Sequence, residues 1–275
     1  MNRNERATMA TETLQIIRDG AYTLGKRRVD ISQDVARCNE HTVFMSSEES
    51  RGLAELLGEN PGTGAVELRN ETTLSAVLRL ANHESTGVGV LNFASARNPG
   101  GGFLNGALAQ EESLAVASSL YESQLRCSRY YEANRAFRSM VYTDSAIWSP
   151  DVVFFRNDTG ALLESPVVAS VLTLPAVNFG QVLAKGEDAE SARRAMKRRM
   201  KIALATFVDH ACEVVVLGAY GCGVFRNDPV DVATWWDELL AQYGGCFRRV
   251  VFAVLDRTPG RKTMAAFEMV RVTQH

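Results

Sequence analysis

The chain has 275 residues, 46% of them hydrophobic and 23% charged, with 30 Lys and Arg against 32 Asp and Glu for a net charge of −2. That length buries a sizeable core without disulfides, and the composition excludes a disordered or collagen-like chain. A balance this close to neutral argues against a general binder of nucleic acid or anionic membrane, which needs clustered Lys and Arg, so any phosphate partner has to be held locally.

Residues 1–20 scatter charges where a signal peptide has a continuous apolar stretch. The longest apolar run, over residues 167–177, is interrupted by Ser170, Thr173 and Pro175 and is too short to cross a bilayer. The expectation is a cytoplasmic protein that uses no membrane. Five cysteines (Cys38, Cys127, Cys212, Cys222, Cys246) are dispersed, with no C-x-x-C pair, which reads as reduced thiols rather than disulfides or zinc. His41, His83, His210 and His275 leave little for metal chemistry. Cys38 and His41 have a ligand-like spacing but no second pair nearby, so no metal and no cofactor are expected.

In chain order, good helix formers over residues 3–18 place Thr13, Leu14 and Ile17 on one face, and Asp19-Gly20 ends the helix. A short hairpin turning at Gly25-Lys26 follows. Next come a strand over 65–68, a helix over 72–81, a buried strand over 88–93, and a helix over 112–126 with Leu114, Tyr121 and Leu125 on one stripe. Strands are expected over 152–155, 167–174, 214–217 and 250–255, with a long basic-faced helix over 189–207 and another helix over 232–240. This alternation, with no internal repeat and no linker, predicts one α/β layered domain with a largely parallel or mixed sheet and an N-terminal extension. Ligands of such sheets sit beyond the carboxyl ends of the strands.

Two loops stand out. The first runs Asn98-Pro99-Gly100-Gly101-Gly102-Phe103 and reaches Gln110-Glu111-Glu112 at a helix start. Consecutive glycines admit positive φ and let amides approach a ligand, and paired carboxylates suit a helix N-terminus. Taken alone, the triplet reads equally as a plain turn. The second loop runs Gly218-Ala219-Tyr220-Gly221-Cys222-Gly223-Val224-Phe225 between a strand and a helix, an arrangement that places amides around a phosphate or diphosphate. No G-K-[ST] closes it, so it is not a P-loop, and no dinucleotide fingerprint is present. Taken alone, a tight turn and nothing more is the less favoured reading of that loop. Cys222 lies in it but lacks a base partner and reads as packing.

The triple glycine followed after a short gap by Gln110-Glu111-Glu112 resembles the bacterial-type poly(ADP-ribose) glycohydrolases, a branch of the macrodomain superfamily. The likeness continues through Leu91-Asn92-Phe93-Ala94, Ser149-Pro150-Asp151-Val152, Pro175-Ala176-Val177-Asn178 and the loop from Gly218. Val177 stands where the family usually has proline, and Tyr220 where it often has tryptophan. The resemblance implies a macrodomain-like three-layer α/β/α sandwich with a mixed central sheet, its catalytic core over 61–275 and a helical N-terminal extension over 1–60 packed on it as a brace. It implies hydrolysis of ribose–ribose O-glycosidic bonds in poly(ADP-ribose), releasing ADP-ribose, and so the reversal of ADP-ribosylation in a bacterial DNA-damage response.

By the same resemblance Glu112 is the catalytic acid/base and Glu111 accepts hydrogen bonds from the penultimate ribose. Gly100, Gly101 and Gly102 lie near the distal ribose and pyrophosphate, the amides of Gly221, Cys222, Gly223 and Val224 hold the diphosphate, and Phe225 fixes the distal ribose. Asn98 is a further ribose contact, and Gln110, Gly218, Ala219 and Tyr220 complete the substrate-binding set. Adjacent glutamates beside a diphosphate repel a second negative charge, so one of them is expected to stay protonated near neutral pH. The expected partners are poly(ADP-ribose), ADP-ribose and ADP-ribosylated proteins, with no direct nucleic-acid binding and a monomeric state. A non-catalytic ADP-ribose reader, a hydrolase of single protein-linked ADP-ribose units and a Rossmann-like nucleotide enzyme are the rivals. The first two have no need of the glutamate pair, and the third lacks its fingerprint.

Overall fold

Asn2 caps the first helix, α1 (Arg3–Asp19), its side chain accepting from the Glu5 amide while the Glu5 carboxylate accepts from the Asn2 amide. Gly20 ends α1 in the left-handed conformation (φ 61°), where a Cβ would meet Ser32. This computed structural model describes residues 1–62, 64–82 and 87–270, so His83 and His275 lie outside the described residues. The hairpin forms as expected, β1 (Ala21–Leu24) against β2 (Arg27–Asp30). Then come α2 (Ser32–His41), β3 (Val43–Met45), α3 (Ser47–Leu56), β4 (Ala65–Arg69), α4 (Thr73–Ala81) and β5 (Val88–Ala94).

After the glycine turn the chain forms α5 (Gln110–Ala117), α6 (Leu120–Leu125) and α7 (Ser128–Ala136). The remainder is β6 (Ala146–Arg156), β7 (Leu162–Pro175), α8 (Phe179–Ala184), α9 (Ala189–Asp209), β8 (Val214–Leu217), α10 (Pro229–Tyr243), β9 (Arg249–Ala253) and α11 (Lys262–Phe267). The main sheet has seven strands in the order β3-β6-β7-β5-β8-β9-β4. From β7 to β4 neighbouring strands are parallel, and β6 runs antiparallel to both of its neighbours, which makes the sheet mixed.

Side chains alternate across this sheet with a period of two. Val215, Leu217, Leu172 and Phe252 face α9 and α10, whereas Val214, Val216, Val171 and Val251 face α4 and α5. Both faces are covered, which gives the three layers and explains why β8 reads as a continuous apolar run and β5 as one interrupted by Asn92. Residues before 60 contribute to the same body: β3 is an edge strand of the main sheet, paired to β6 through Val43 and Trp148. Among the described residues no helix is long and apolar enough to cross a membrane.

The helix expected over 112–126 is in fact two, and Leu125 is exposed rather than on a buried stripe. Ser118 and Ser119 leave the helix to serve strand β6. Ser119 donates its amide to Val153 O (3.0 Å) and accepts the Val153 amide on its hydroxyl (3.0 Å), while the Ser118 hydroxyl caps Leu114 O. The strand expected over 152–155 begins six residues earlier, at Ala146, because the register shift between Ser149 and Val152, with Asp151 at φ 49°, hides its first half from a period-two reading.

Candidate active site

Strands β5 and β8 are parallel neighbours, in register from Val88–Val214 to Val90–Val216, so the two loops singled out in the sequence leave the same end of adjacent strands. Phe93 at the end of β5 touches Tyr220, ring centroids 5.6 Å apart. That shared origin sets the glutamates and the amide-rich loop at the carboxyl end of the same strands, where ligands of such sheets bind in a cleft between loops.

The first turn of α5 carries Gln110, Glu111 and Glu112, where free amides and the helix dipole favour carboxylates. Gln110 is a staple: its Nε2 donates to Leu91 O (2.9 Å) and its Oε1 accepts from the Phe93 amide (2.8 Å), locking α5 to β5. Glu111 is buried. Its Oε1 accepts from Asn92 Nδ2 (3.1 Å) and Gln124 Nε2 (3.0 Å), and its Oε2 accepts from the Ser95 amide (2.7 Å). Glu112 is partly exposed and accepts on Oε1 from the Gly102 amide (2.9 Å).

Burial pushes the Glu111 carboxyl up to about 7; its three donors pull the other way, and the charge of Glu112 adds the smallest upward contribution. Desolvation, more than repulsion within the pair, thus brings Glu111 close to neutral pH, the neighbour of the residue that the resemblance makes the acid/base. A carboxyl raised in the folded state favours folding most below its unfolded value near 4.5, and that contribution is lost as pH rises through about 7. Relative to a Glu111→Gln variant, the wild type is therefore expected to lose about 2–3 kcal/mol of stability between pH 5 and pH 8. Calorimetric unfolding of both proteins at the two pH values measures this, and parallel pH dependences would contradict it.

The glycine turn works differently from a phosphate cradle. All three of its amides are engaged by the protein: Gly100 N donates to Gln124 Oε1 (2.7 Å), Gly101 N to Asn98 O (3.1 Å) and Gly102 N to Glu112 Oε1 (2.9 Å). What glycine supplies is room. Gly101 has φ 60°, and a Cβ there would fall on Glu112 Oε1 and within 3.1 Å of Glu111 Oε2, so both carboxylates converge on this one bare backbone position. Gly101→Ala is expected to push Glu112 from its place and lower turnover by at least about 100-fold, with a stability cost of about 1–2 kcal/mol for the left-handed residue. Steady-state kinetics beside a thermal melt separates the two effects, and an unchanged kcat would contradict the placement.

In the second loop the backbone does present amides. Among the described residues, those of Gly221, Gly223, Val224 and Phe225 have no backbone acceptor, whereas Cys222 N, expected in the same set, donates to Ala219 O (3.1 Å). The loop is pinned from beneath. Buried Asn227 donates to Val177 O (2.8 Å) and Gly221 O (3.0 Å), and Trp236 Nε1 donates to Gly218 O (3.2 Å). Gly221 (φ 72°) and Gly218 are required by contacts with Asn227, Ala176 and the Ala253 carbonyl. Tyr220 points into the core, its hydroxyl on Leu174 O (3.0 Å), so only its backbone borders the cleft. Burial pushes the Cys222 thiol up to about 12, which removes it as a nucleophile at neutral pH. Asn98 is exposed at the rim, and the Phe225 ring lies 6.1 Å from that of Tyr142.

Behind Tyr142 sits a buried ionic cluster. Arg199, fully buried, donates to Asp144 Oδ1 (3.1 Å), Pro175 O (3.0 Å) and Tyr142 O (2.8 Å), and Arg198 and Arg51 reach the same carboxylate. Burial raises the Asp144 pKa, but Arg199 and Arg198 more than offset it and hold the carboxyl below its ordinary range. The polar residues that build the site and went unread in the sequence are Asn92, Ser95, Gln124, Asp144, Arg199 and Asn227. Asn92 carried a signal, as a polar residue inside the apolar strand β5.

A mixed α/β sandwich that sets a glutamate pair against a glycine turn, beside an amide-lined loop on the neighbouring parallel strand, is the framework of a macrodomain-type glycoside hydrolase. Residues 10–157, more than half of the chain, match the family model for the microbial-type PARG catalytic domain. Poly(ADP-ribose) glycohydrolase (PARG) from Thermomonospora curvata superposes with a TM-score of 0.92 at 40% identity, over 97% of this chain and 99% of that one. The same enzyme bound to the inhibitor ADP-HPD gives a TM-score of 0.90 at 40% identity over the same 97% and 99% of the two chains. The Deinococcus radiodurans enzyme in complex with ADP-ribose gives 0.80 at 39% identity, over 90% and 97%. No curated protein matches the sequence. The chain belongs to the microbial-type PARG family and is a glycoside hydrolase.

Proposed function

We propose that this chain hydrolyses the ribose–ribose O-glycosidic bond of poly(ADP-ribose) and releases ADP-ribose. The observation that carries the reading is the convergence of Glu111 and Glu112 on Gly101, beside the amides of Gly223, Val224 and Phe225. In the proposed reaction those amides hold the diphosphate of the terminal unit, with Phe225 and Asn98 at its distal ribose. The Glu112 carboxyl protonates the glycosidic oxygen as the bond to the anomeric carbon breaks through an oxocarbenium-like state. Glu112, now a carboxylate, takes a proton from the water that attacks that carbon, which leaves ADP-ribose and a polymer shortened by one unit. One carboxylate serves both steps because adjacent residues cannot take opposite faces of the sugar. Glu111 sets the cleft wall through Ser95 and Gln124 and faces the penultimate ribose.

Residues 1–60, apart from β3 within the sheet itself, act as a brace on a catalytic core of 61–275: Arg3 Nε donates to Asn105 O (2.8 Å) and Arg6 Nε to Gly106 O (2.8 Å), fastening the segment between the glycine turn and α5. The chain is proposed to act as a cytoplasmic monomer on ADP-ribosylated proteins, in reversal of a DNA-damage signal. A protein carrying labelled poly(ADP-ribose) tests the substrate class. The expected result is loss of polymer with the last protein-linked unit retained. Removal of single protein-linked units with the polymer intact would overturn the assignment.

A further inference from the structure

The rim beside the glycine turn carries cations that no carboxylate neutralises. Arg97, Arg135 and Arg138 are exposed, and among the described residues none of them enters an ion pair. The basic face of α9 is the contrast, since Arg193 pairs with Asp231, Arg194 with Asp188 and Lys197 with Glu238. Glu132, one turn before Arg135 on α7, is exposed and, among the described residues, forms no ion pair with Arg135 or Arg138. Between Arg135 and Arg138 stands Phe137, 43% exposed for an aromatic ring of this size.

These residues are tied to both walls of the cleft. Arg135 Nη1 donates to Arg97 O (2.7 Å), and the Tyr130 hydroxyl reaches Ser95 O (3.4 Å), the residue whose amide holds Glu111. A few residues beyond Arg138, Tyr142 packs on Phe225. In the proposed reaction the leaving group is the adenosine ribose of the preceding unit, so an adenine and a second diphosphate emerge at the distal-ribose end of the cleft. An exposed ring flanked in sequence by arginines offers the groups that match that pair, a face to stack the base and guanidinium groups to bind the phosphates.

We propose that Arg97, Phe137 and Arg138, with Arg135 as the strut of Arg97, form a subsite for the ADP-ribosyl unit on the leaving-group side of the scissile bond. The proposal rests on the poly(ADP-ribose) reading above and names how the enzyme tells polymer from monomer. The test measures binding of purified poly(ADP-ribose) and of free ADP-ribose to a Glu112→Gln protein, with and without Arg97→Glu plus Arg138→Glu, and with Phe137→Ala alone. Polymer affinity is expected to fall at least about tenfold in each variant, with a salt dependence shallower by about two in the charge-reversed protein. Free ADP-ribose, which fills only the terminal-unit site, is expected to bind within about twofold of the parent.

Unchanged polymer affinity would overturn the subsite, as would an equal loss for polymer and ADP-ribose. Competition by single-stranded oligoadenylate as effective as that of the polymer would also overturn it, by making the patch a general nucleic-acid surface. If the charge-reversed protein melts early, the Phe137→Ala protein decides. A wild type that releases no ADP-ribose would defeat the proposed activity, yet the polymer-against-monomer comparison would still decide the subsite.

Discussion

Glu112→Gln is expected to lower turnover on poly(ADP-ribose) by about 10²–10⁴-fold, the usual worth of a positioned general acid/base, while ADP-ribose still binds within about threefold of wild type. The amide side chain is nearly isosteric, and its oxygen can still accept from the Gly102 amide, the bond that shapes the glycine turn (2.9 Å). In the proposed reaction the substitution removes the proton donated to the leaving oxygen and the carboxylate that then activates water. The open amides of Gly223, Val224 and Phe225, proposed to hold the diphosphate, lie on a different strand's loop and are untouched. Single-turnover release beside calorimetric ADP-ribose binding separates chemistry from affinity. Near-normal turnover would remove Glu112 from the chemistry.

The second large effect is on stability. Asp144→Ala is expected to cost about 3–5 kcal/mol, because it strands the fully buried Arg199 without its carboxylate. For a domain of this size that is a drop of roughly 10 °C in Tm. The same change frees the carbonyl of Tyr142 from a fixed partner and loosens the wall against Phe225, so KM should rise in whatever fraction stays folded. A paired Asp144→Leu, Arg199→Met protein should recover part of the loss, since an apolar pair leaves no buried charge unmatched. The depressed Asp144 pKa makes its contribution present above the ordinary carboxylate range and lost as pH falls through the lowered value. Thermal melts of the three proteins at neutral and acid pH check this, and a Tm within a degree or two of wild type for Asp144→Ala would contradict it.

Strands β5 and β8 were legible because both faces are covered, which writes them as largely apolar runs, and the glutamate pair was legible because its spacing from the glycines is local. The direction in which side chains turn was not. Gln110 and Tyr220 lie beside the cleft in sequence, yet the register of β5 and the packing of the second loop aim their polar groups at Leu91 O and Leu174 O. The support of Glu111 was hidden for a different reason. Asn92, Ser95 and Gln124 come from a strand, a loop and a helix whose meeting depends on the break at Ser118-Ser119, a break made by hydrogen bonds to β6 rather than by any helix-stopping residue. Likewise Arg199 looked like one more residue of a basic helix face until Asp144, 55 positions away, took it into the core. Strand β3, with only three residues, is defined by its pairing to β6 and by little in its own sequence.

The most direct measurement of the central claim is chromatographic release of ADP-ribose from purified poly(ADP-ribose) by the wild-type protein, with a chelator present throughout and Glu112→Ala run beside it. The expected result is steady release by the wild type that collapses in the variant. Tight ADP-ribose binding with no release by the wild type would contradict it, and would make the cleft a reader of ADP-ribose whose paired glutamates do no chemistry.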